Sequence, residues 1–232
     1  MTLDGSKRSR KTRKNARFSE EDGAKRASSK DVRKPKKARP LDETALRDLA
    51  LSYAARFATT GAKLEGYLAR KLRERGVAED EEGRVQTPDV AGLVARLIDL
   101  GYVDDEAYAR SKTRDLTARG YGARRVEQAL WAAGVDENTR EETAPNEAET
   151  RRAAILLAKK RRFGPFSTAF DEDEPAELAH KRRDKQIAAM LRAGHKFDHI
   201  AFILDAREEA DIEDWLFEAE EEAREEEGPN SW

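Results

Sequence analysis

The chain has 232 residues, 40% of them charged and 38% hydrophobic, a balance too polar for one tightly packed globule of this length. Cysteine is absent, which excludes disulfide scaffolds, thiolate metal sites and cysteine nucleophiles and suits a reducing compartment. The formal charge of −2 hides segregation: residues 1–40 carry 15 Lys/Arg against 5 Asp/Glu, residues 205–232 carry 2 against 13, and the span between them is near neutral.

Residues 1–40 hold few large apolar side chains, chiefly Leu3, Phe18 and Val32, so burial cannot offset chain entropy and a disordered basic tail is expected. The start has no apolar signal-like core, and no run approaches the ~18 apolar residues that span a bilayer, so a cytoplasmic protein with no membrane partner is expected. From Leu41 the pattern changes. Leu46, Leu49, Ala50, Tyr53, Ala54 and Phe57 form one stripe of helical period. Leu64, Tyr67, Leu68 and Leu72 form a second that ends at Gly76, and Val90, Leu93, Val94, Leu97 and Ile98 a third that ends at Gly101. Thr87 and Pro88 read as the N-cap and first position of the third helix. A helix over 104–118 has Tyr108 and Leu116 as its large anchors. Further stripes run through Val126, Ala129, Leu130 and Ala133, then Ile187, Met190 and Leu191, then Phe197, Ile200, Ala201 and Leu204. All seven prolines fall between stripes or at their starts, and no segment alternates with period two, so the fold class is all-α.

Gly76, Gly134 and Gly194 each follow a leucine that closes an amphipathic helix, and they are 58 and 60 residues apart. The spacing predicts an elongated tandem repeat of about three three-helix units, over 41–101, 102–148 and 149–206. The third unit carries an insertion, placed at the DEDEP stretch of 171–175. Residues 207–232 form an acidic C-terminal segment in which Ile212, Trp215, Leu216 and Ala219 could dock one or two turns on the third unit.

No catalytic constellation emerges, and neither a cofactor nor a metal is expected. Asp104 and Asp105 read as caps of the following helix rather than as an acid pair. Gly120 and Gly122 lie after a helix rather than a strand and read as a C-cap and turn, not a phosphate loop. His195 and His199, four apart on one expected helix face, lack a third ligand. Tyr53, Tyr67, Tyr102 and Tyr108 sit on or beside apolar stripes and read as core. What remains is cationic: Arg70, Lys71 and Arg73; Arg110, Lys112, Arg114 and Arg119; Arg124 and Arg125; Lys159, Lys160, Arg161 and Arg162. Arg151, Arg152, Lys181 to Arg183 and Lys185 add to them. If the units repeat in space, these would line one side of the body as a footprint for phosphates or an acidic protein groove; the alternative is a set of solvated faces with ion pairs four residues apart.

The run VARLIDLGYVDDEAYARSKTRD, followed by RGYGARRVEQALWAAGV, resembles the RecX family of recombinase regulators. The matching positions are Gly101, Tyr102, Val103, Asp104, Asp105, Tyr108 and Ala109, then Arg119, Gly120, Arg124 or Arg125, Val126, Leu130, Gly134 and Val135. The resemblance covers about 41–204 and is weakest in the third unit. It implies an elongated protein of tandem three-helix units that binds the RecA recombinase filament along its groove; a monomer is expected. There it would modulate ATP hydrolysis and strand exchange in DNA repair and recombination, usually as an inhibitor, with no chemistry of its own. The basic tail, the acidic loop at 79–82, the insertion and the acidic end depart from the family. They leave a second reading open: a protein that binds single- or double-stranded DNA non-specifically, or an architectural protein, in which the tail dominates.

Overall fold

The computed structural model describes residues 39–79, 82–167 and 175–228. The expected basic tail up to Ala38 and the acidic part of the expected insertion, 171–174, lie outside the described residues. The described residues form ten α-helices: α1 (Glu43–Ala54), α2 (Gly61–Arg75), α3 (Val90–Asp99), α4 (Asp105–Thr117), α5 (Ala123–Trp131), α6 (Glu137–Glu142), α7 (Glu147–Arg161), α8 (Ala176–Arg192), α9 (Phe197–Asp205) and α10 (Glu209–Glu227). A 3-10 turn, Gly164–Phe166, follows α7. Among the described residues extended pairing is limited to two isolated bridges, Leu41 with Val77 and Glu79 with Val85, so the chain is all-α as its periodicity implied.

The stripes close on three successive cores. Leu41, Leu46, Ala50, Leu64, Leu68, Val94, Leu97 and Val103 form the first, between α1, α2 and α3. Ala109, Leu116, Val126, Leu130, Ala133 and Val135 form the second, on α4 and α5. The third gathers Ala154, Ile155 and Ala158 of α7, Phe166, Met190 of α8, Ile200 and Ile203 of α9, and Ile212 of α10. Short polar side chains start most of the helices by accepting a backbone N–H of the first turn: Asp42, Thr60, Asp89, Asp104, Asp136 and Asn146.

Several expectations change at the element ends. The cap of α3 is Asp89, whose Oδ1 accepts Gly92 N–H at 2.9 Å, rather than Thr87, because a carboxylate two residues later reaches the free amides directly. α1 ends at Ala54, leaving Phe57 exposed. Tyr102 is 58% exposed and belongs to no core, whereas Tyr53 and Tyr67 stack at 4.2 Å between centroids as expected. Leu191 and Phe197 also face solvent, and Ile203 takes the buried place on α9. α6, with the sequence ENTREE, has no apolar stripe and gave no periodic signal. Arg140 ties it to α5 instead, reaching Glu127 at 2.7 Å and the Val135 carbonyl at 2.7 Å.

The acidic C-terminal segment docks over about three turns, from Glu209 to Glu220, rather than one or two. α10 lies along α7 with Ile212 and Ala219 both 1% exposed. Its glutamates meet the basic residues of α7, Glu220 with Arg152 at 2.6 Å and Glu209 with Lys159 at 3.7 Å, while the Arg151 guanidinium lies over the Trp215 ring and donates to the Trp215 carbonyl at 2.7 Å. Opposite charge on two helices, each balanced poorly by its own sequence, therefore meets at one interface.

The first two cores are joined at the acidic pair. Asp104 caps α4, but Asp105 does not act on its own helix: its Oδ1 accepts Gly61 N–H of α2 at 2.9 Å, so the two carboxylates cap two different helices. Burial raises the Asp105 carboxyl above its usual range, with the Gly61 amide opposing. Thr60 Oγ1 donates to the Ala133 carbonyl at 2.5 Å, and Lys63 Nζ reaches Tyr108 Oη, completing the joint.

Candidate functional site: a cationic groove at the second joint

The second joint is made by backbone. Gly122, at the start of α5, has no side chain to cap it; its N–H donates to the Ala193 carbonyl at 2.9 Å and Arg124 N–H to the Gly194 carbonyl at 3.2 Å. The last carbonyls of α8 thus take the free amides of α5, and each helix end satisfies the other. The approach demands glycine on both sides. A Cβ on Gly122 would stand 2.4 Å from Gly194 O, and Gly194, at φ 93°, would place one 2.5 Å from Arg125 N.

His195 seals this contact. It is 5% exposed, and its Nε2 lies 3.1 Å from the Gly120 carbonyl, which requires Nε2 to carry the proton; Nδ1 is buried without a partner. Burial holds the imidazole below its ordinary value, the Gly120 carbonyl opposing. His195 precedes α9 rather than sharing a helix face with His199, because α9 starts at Phe197. His199 bonds instead to Glu147 at 2.7 Å, and burial keeps it below its ordinary value against the pull of that carboxylate. Burial would raise Glu147, but Arg151, Lys196 and His199 outweigh it and bring its carboxyl down to about 2. Among the described residues no group of three or more metal-ligating side chains is arranged around an ion position.

By pinning Gly120 and Gly122, this joint sets Arg119 and Tyr121 beside the end of α7. There they line a cleft of about 130 Å³ with Leu157, Lys160, Arg161, Phe163, Ala189 and Ala193. Through Arg161, Phe163 and Ala189 it continues into an open groove of about 590 Å³ between the α7 terminus and α8, lined also by Arg162, Lys181, Arg182, Lys185 and Arg192. Eight cations line the two parts, and among the described residues no Asp or Glu does. Lys181 also pairs with Glu177 at 2.6 Å at the groove's outer edge.

Arg162 occupies a costly conformation. It ends α7 at φ 57°, the only positive φ of a non-glycine residue among those described, where glycine is the usual occupant. Lys159, Lys160 and Arg161 in the last turn oppose the negative helix end, an ordinary preference. Arg162, in the left-handed cap itself, adds a fourth cation at the same helix end and lines the groove.

The structure therefore brings together Arg119, Lys160, Arg161 and Arg162 of the sequence-derived set. Lys159 turns away, its Nζ over the Phe166 ring and near Glu209. Arg70 and Lys71 share Glu74 on α2, at 3.7 and 2.6 Å, with Arg73 exposed nearby in sequence. On α4, Arg110 pairs with Glu106, Arg114 Nε donates to the Arg110 carbonyl at 3.4 Å, and Lys112 is half-buried. Arg124 and Arg125 are exposed in the first turn of α5. Arg192 escaped sequence reasoning, although its signal was there: Lys181, Lys185 and Arg192 stand at i, i+4 and i+11, one face of α8.

The described residues thus form an all-helical body whose half-buried Asp105 carboxylate and buried histidines are held by hydrogen bonds and whose cationic groove has no Asp or Glu among its described lining residues. The matches to known proteins place this helical body in a family. Residues 104–143 match the model of the second three-helix domain of RecX. The regulatory protein RecX of Myxococcus xanthus is 32% identical over 180 residues, covering 76% of this chain and 93% of that one. A RecX of Thermus thermophilus is 35% identical over 112 residues, 48% of this chain and 71% of that one. A crystal structure of RecX from Lactobacillus salivarius, 20% identical, superposes with a TM-score of 0.51 over 70% of this chain and 96% of that one, which shows the shared fold. The chain belongs to the RecX family of regulatory proteins. No helix among its described residues is long and apolar enough to cross a membrane.

Proposed function

We propose that the protein binds the RecA recombinase filament and restrains its ATP hydrolysis and strand exchange, with the cationic groove engaging DNA phosphates or acidic filament surface. The observation that carries the reading is the groove itself: eight Lys and Arg from three segments converge with no carboxylate among the described lining residues. Like charges gathered this way repel one another, Lys181 being partly compensated by Glu177, and such a cluster gains from an external polyanion. Family membership supplies the regulatory role, and a ligand that prefers one filament state shifts the filament toward it by its differential affinity.

The test is co-sedimentation and ATPase inhibition with RecA filaments on single-stranded DNA, using the full chain and an R161E/R162E/K185E variant. The expected outcome is that the wild-type chain co-sediments and slows hydrolysis, while the variant keeps its melting temperature and loses most inhibition. Undiminished inhibition by the variant would overturn the role of the groove. Repeating the assay at ~200 mM salt separates a filament regulator from a DNA binder, because phosphate-driven affinity for bare DNA falls by orders of magnitude over that range while a protein contact persists.

A further inference from the structure

The first core is open on one side. Leu41, just ahead of α1, donates to the Gly76 carbonyl beyond α2 at 2.9 Å, and Ala78 N–H returns to Leu41 O at 3.0 Å, so the start of α1 meets the end of α2. Gly61, at the start of α2, lies against Ile98 near the end of α3, where a Cβ would be 2.9 Å from Ile98 Cδ1. α2 therefore runs antiparallel to both neighbours, and α1 and α3 run parallel to each other. Between these two is a groove of about 610 Å³.

Its floor is Leu46 and Leu97, 0% and 3% exposed, and Leu93 forms a half-buried wall. At the end where α3 finishes, Leu100 and Tyr102 stand 59% and 58% exposed. The charges along the groove are polarised. Glu43 and Asp89 lie at the starts of α1 and α3, hence at one end; Arg47 follows one turn on, and Arg96 is in the last turn of α3, at the other end.

We infer that this groove is a docking site for an amphipathic helix of a partner protein. The helix runs antiparallel to α1 and α3, with an acidic first turn beside Arg96 and a basic last turn beside Glu43 and Asp89. Two independent preferences select that direction. A helix favours acids in its first turn and bases in its last, which is the order complementary to the groove. Lying antiparallel to α1 and α3 also places its negative end beside their positive ends and completes a four-helix, up-down-up-down arrangement with an apolar stripe on the leucine floor. The inference stands apart from the recombinase reading and from the cationic groove.

Two synthetic peptides of about 14 residues, a length that spans ~21 Å as a helix, provide the test. Both carry the same leucine stripe; one has glutamates first and lysines last, the other has them exchanged. Titrated into the full-length protein, the acid-first peptide is expected to bind at least about tenfold more tightly than its counterpart. Leu100→Glu, a change at an exposed position, should abolish that binding with the melting temperature kept, and R96E should erase the preference between the peptides. Absence of binding by either peptide, equal affinities, or indifference to Leu100→Glu would overturn the inference. A concentration-dependent dimer in sedimentation that Leu100→Glu dissolves would also overturn it, by assigning the groove to a second copy of this chain.

Discussion

Arg162 offers a perturbation whose two effects run in opposite directions. Holding an L-residue in the left-handed region costs about 1–2 kcal/mol, and glycine escapes that cost but gives back about 0.5–1 kcal/mol of backbone entropy, so R162G should stabilise the fold by roughly 0.5 kcal/mol. For a body of this size that is a rise of about 1–2 °C in melting temperature. The same change removes one cation from the groove. Loss of a single phosphate contact lowers the slope of log affinity against log salt by about 0.7 for a single strand and 0.9 for a duplex, which is roughly a five- to eightfold weakening at ~0.1 M salt. The assay is thermal unfolding beside fluorescence anisotropy of a labelled oligonucleotide at several salt concentrations. A chain that is both more stable and weaker on DNA supports the assignment of Arg162 to the groove. Unchanged affinity and slope, or a fall in melting temperature, would refute the idea that the strained cation is kept for binding.

Three further outcomes follow from the packing. Gly122→Ala forces a Cβ against the Gly194 carbonyl at 2.4 Å, and neither backbone can yield without breaking the cap of α5; a loss of about 2–4 kcal/mol in denaturant unfolding is expected. I212A empties a fully buried site where α10 meets the third core and should cost about 2–4 kcal/mol, whereas an α10 that merely brushed the body would lose almost nothing. His195 and His199 are both held neutral by burial, so the unfolded chain binds more protons than the folded one. Stability should therefore be full above the ordinary histidine pKa of about 6.5 and decline as pH falls through it, with part of the decline missing in His195→Gln, whose amide can still donate to Gly120. Glu147, depressed to about 2, contributes with the same sign in a lower pH region: its share is present above the ordinary carboxylate range and is lost only on further acidification toward about 2. A flat stability profile between pH 7.5 and 5.5 would contradict the buried, singly protonated His195.

Much of the helical inventory was legible because a helix is a local object. The stripe of Leu46, Leu49, Ala50 and Tyr53 and the cap at Asp104 depend on neighbours within four residues, and these appear in the structure where the local pattern placed them. α6 was not legible, since a run without apolar residues leaves no periodic trace, and Arg140 is among the contacts that hold it against α5. The extent of α10 was misjudged for a related reason. Its glutamates looked like solvated surplus charge until α7 supplied Arg152 and Lys159 as partners, Arg152 standing 68 residues before Glu220 in the chain.

Composition, period and motif by themselves determined the all-helical class, the absence of cysteine chemistry and the likeness to the RecX signature at 101–135. Only the tertiary structure decided which cations act together. Arg119 and Lys160 are neighbours because two glycines allow the end of α8 to cap α5 across the second joint, while Arg70 and Arg110 are taken up by glutamates on their own helices. Sequence spacing fixes the face of a helix on which a charge stands, but the side chains it meets across the chain are set by backbone approach and packing, which no local pattern encodes.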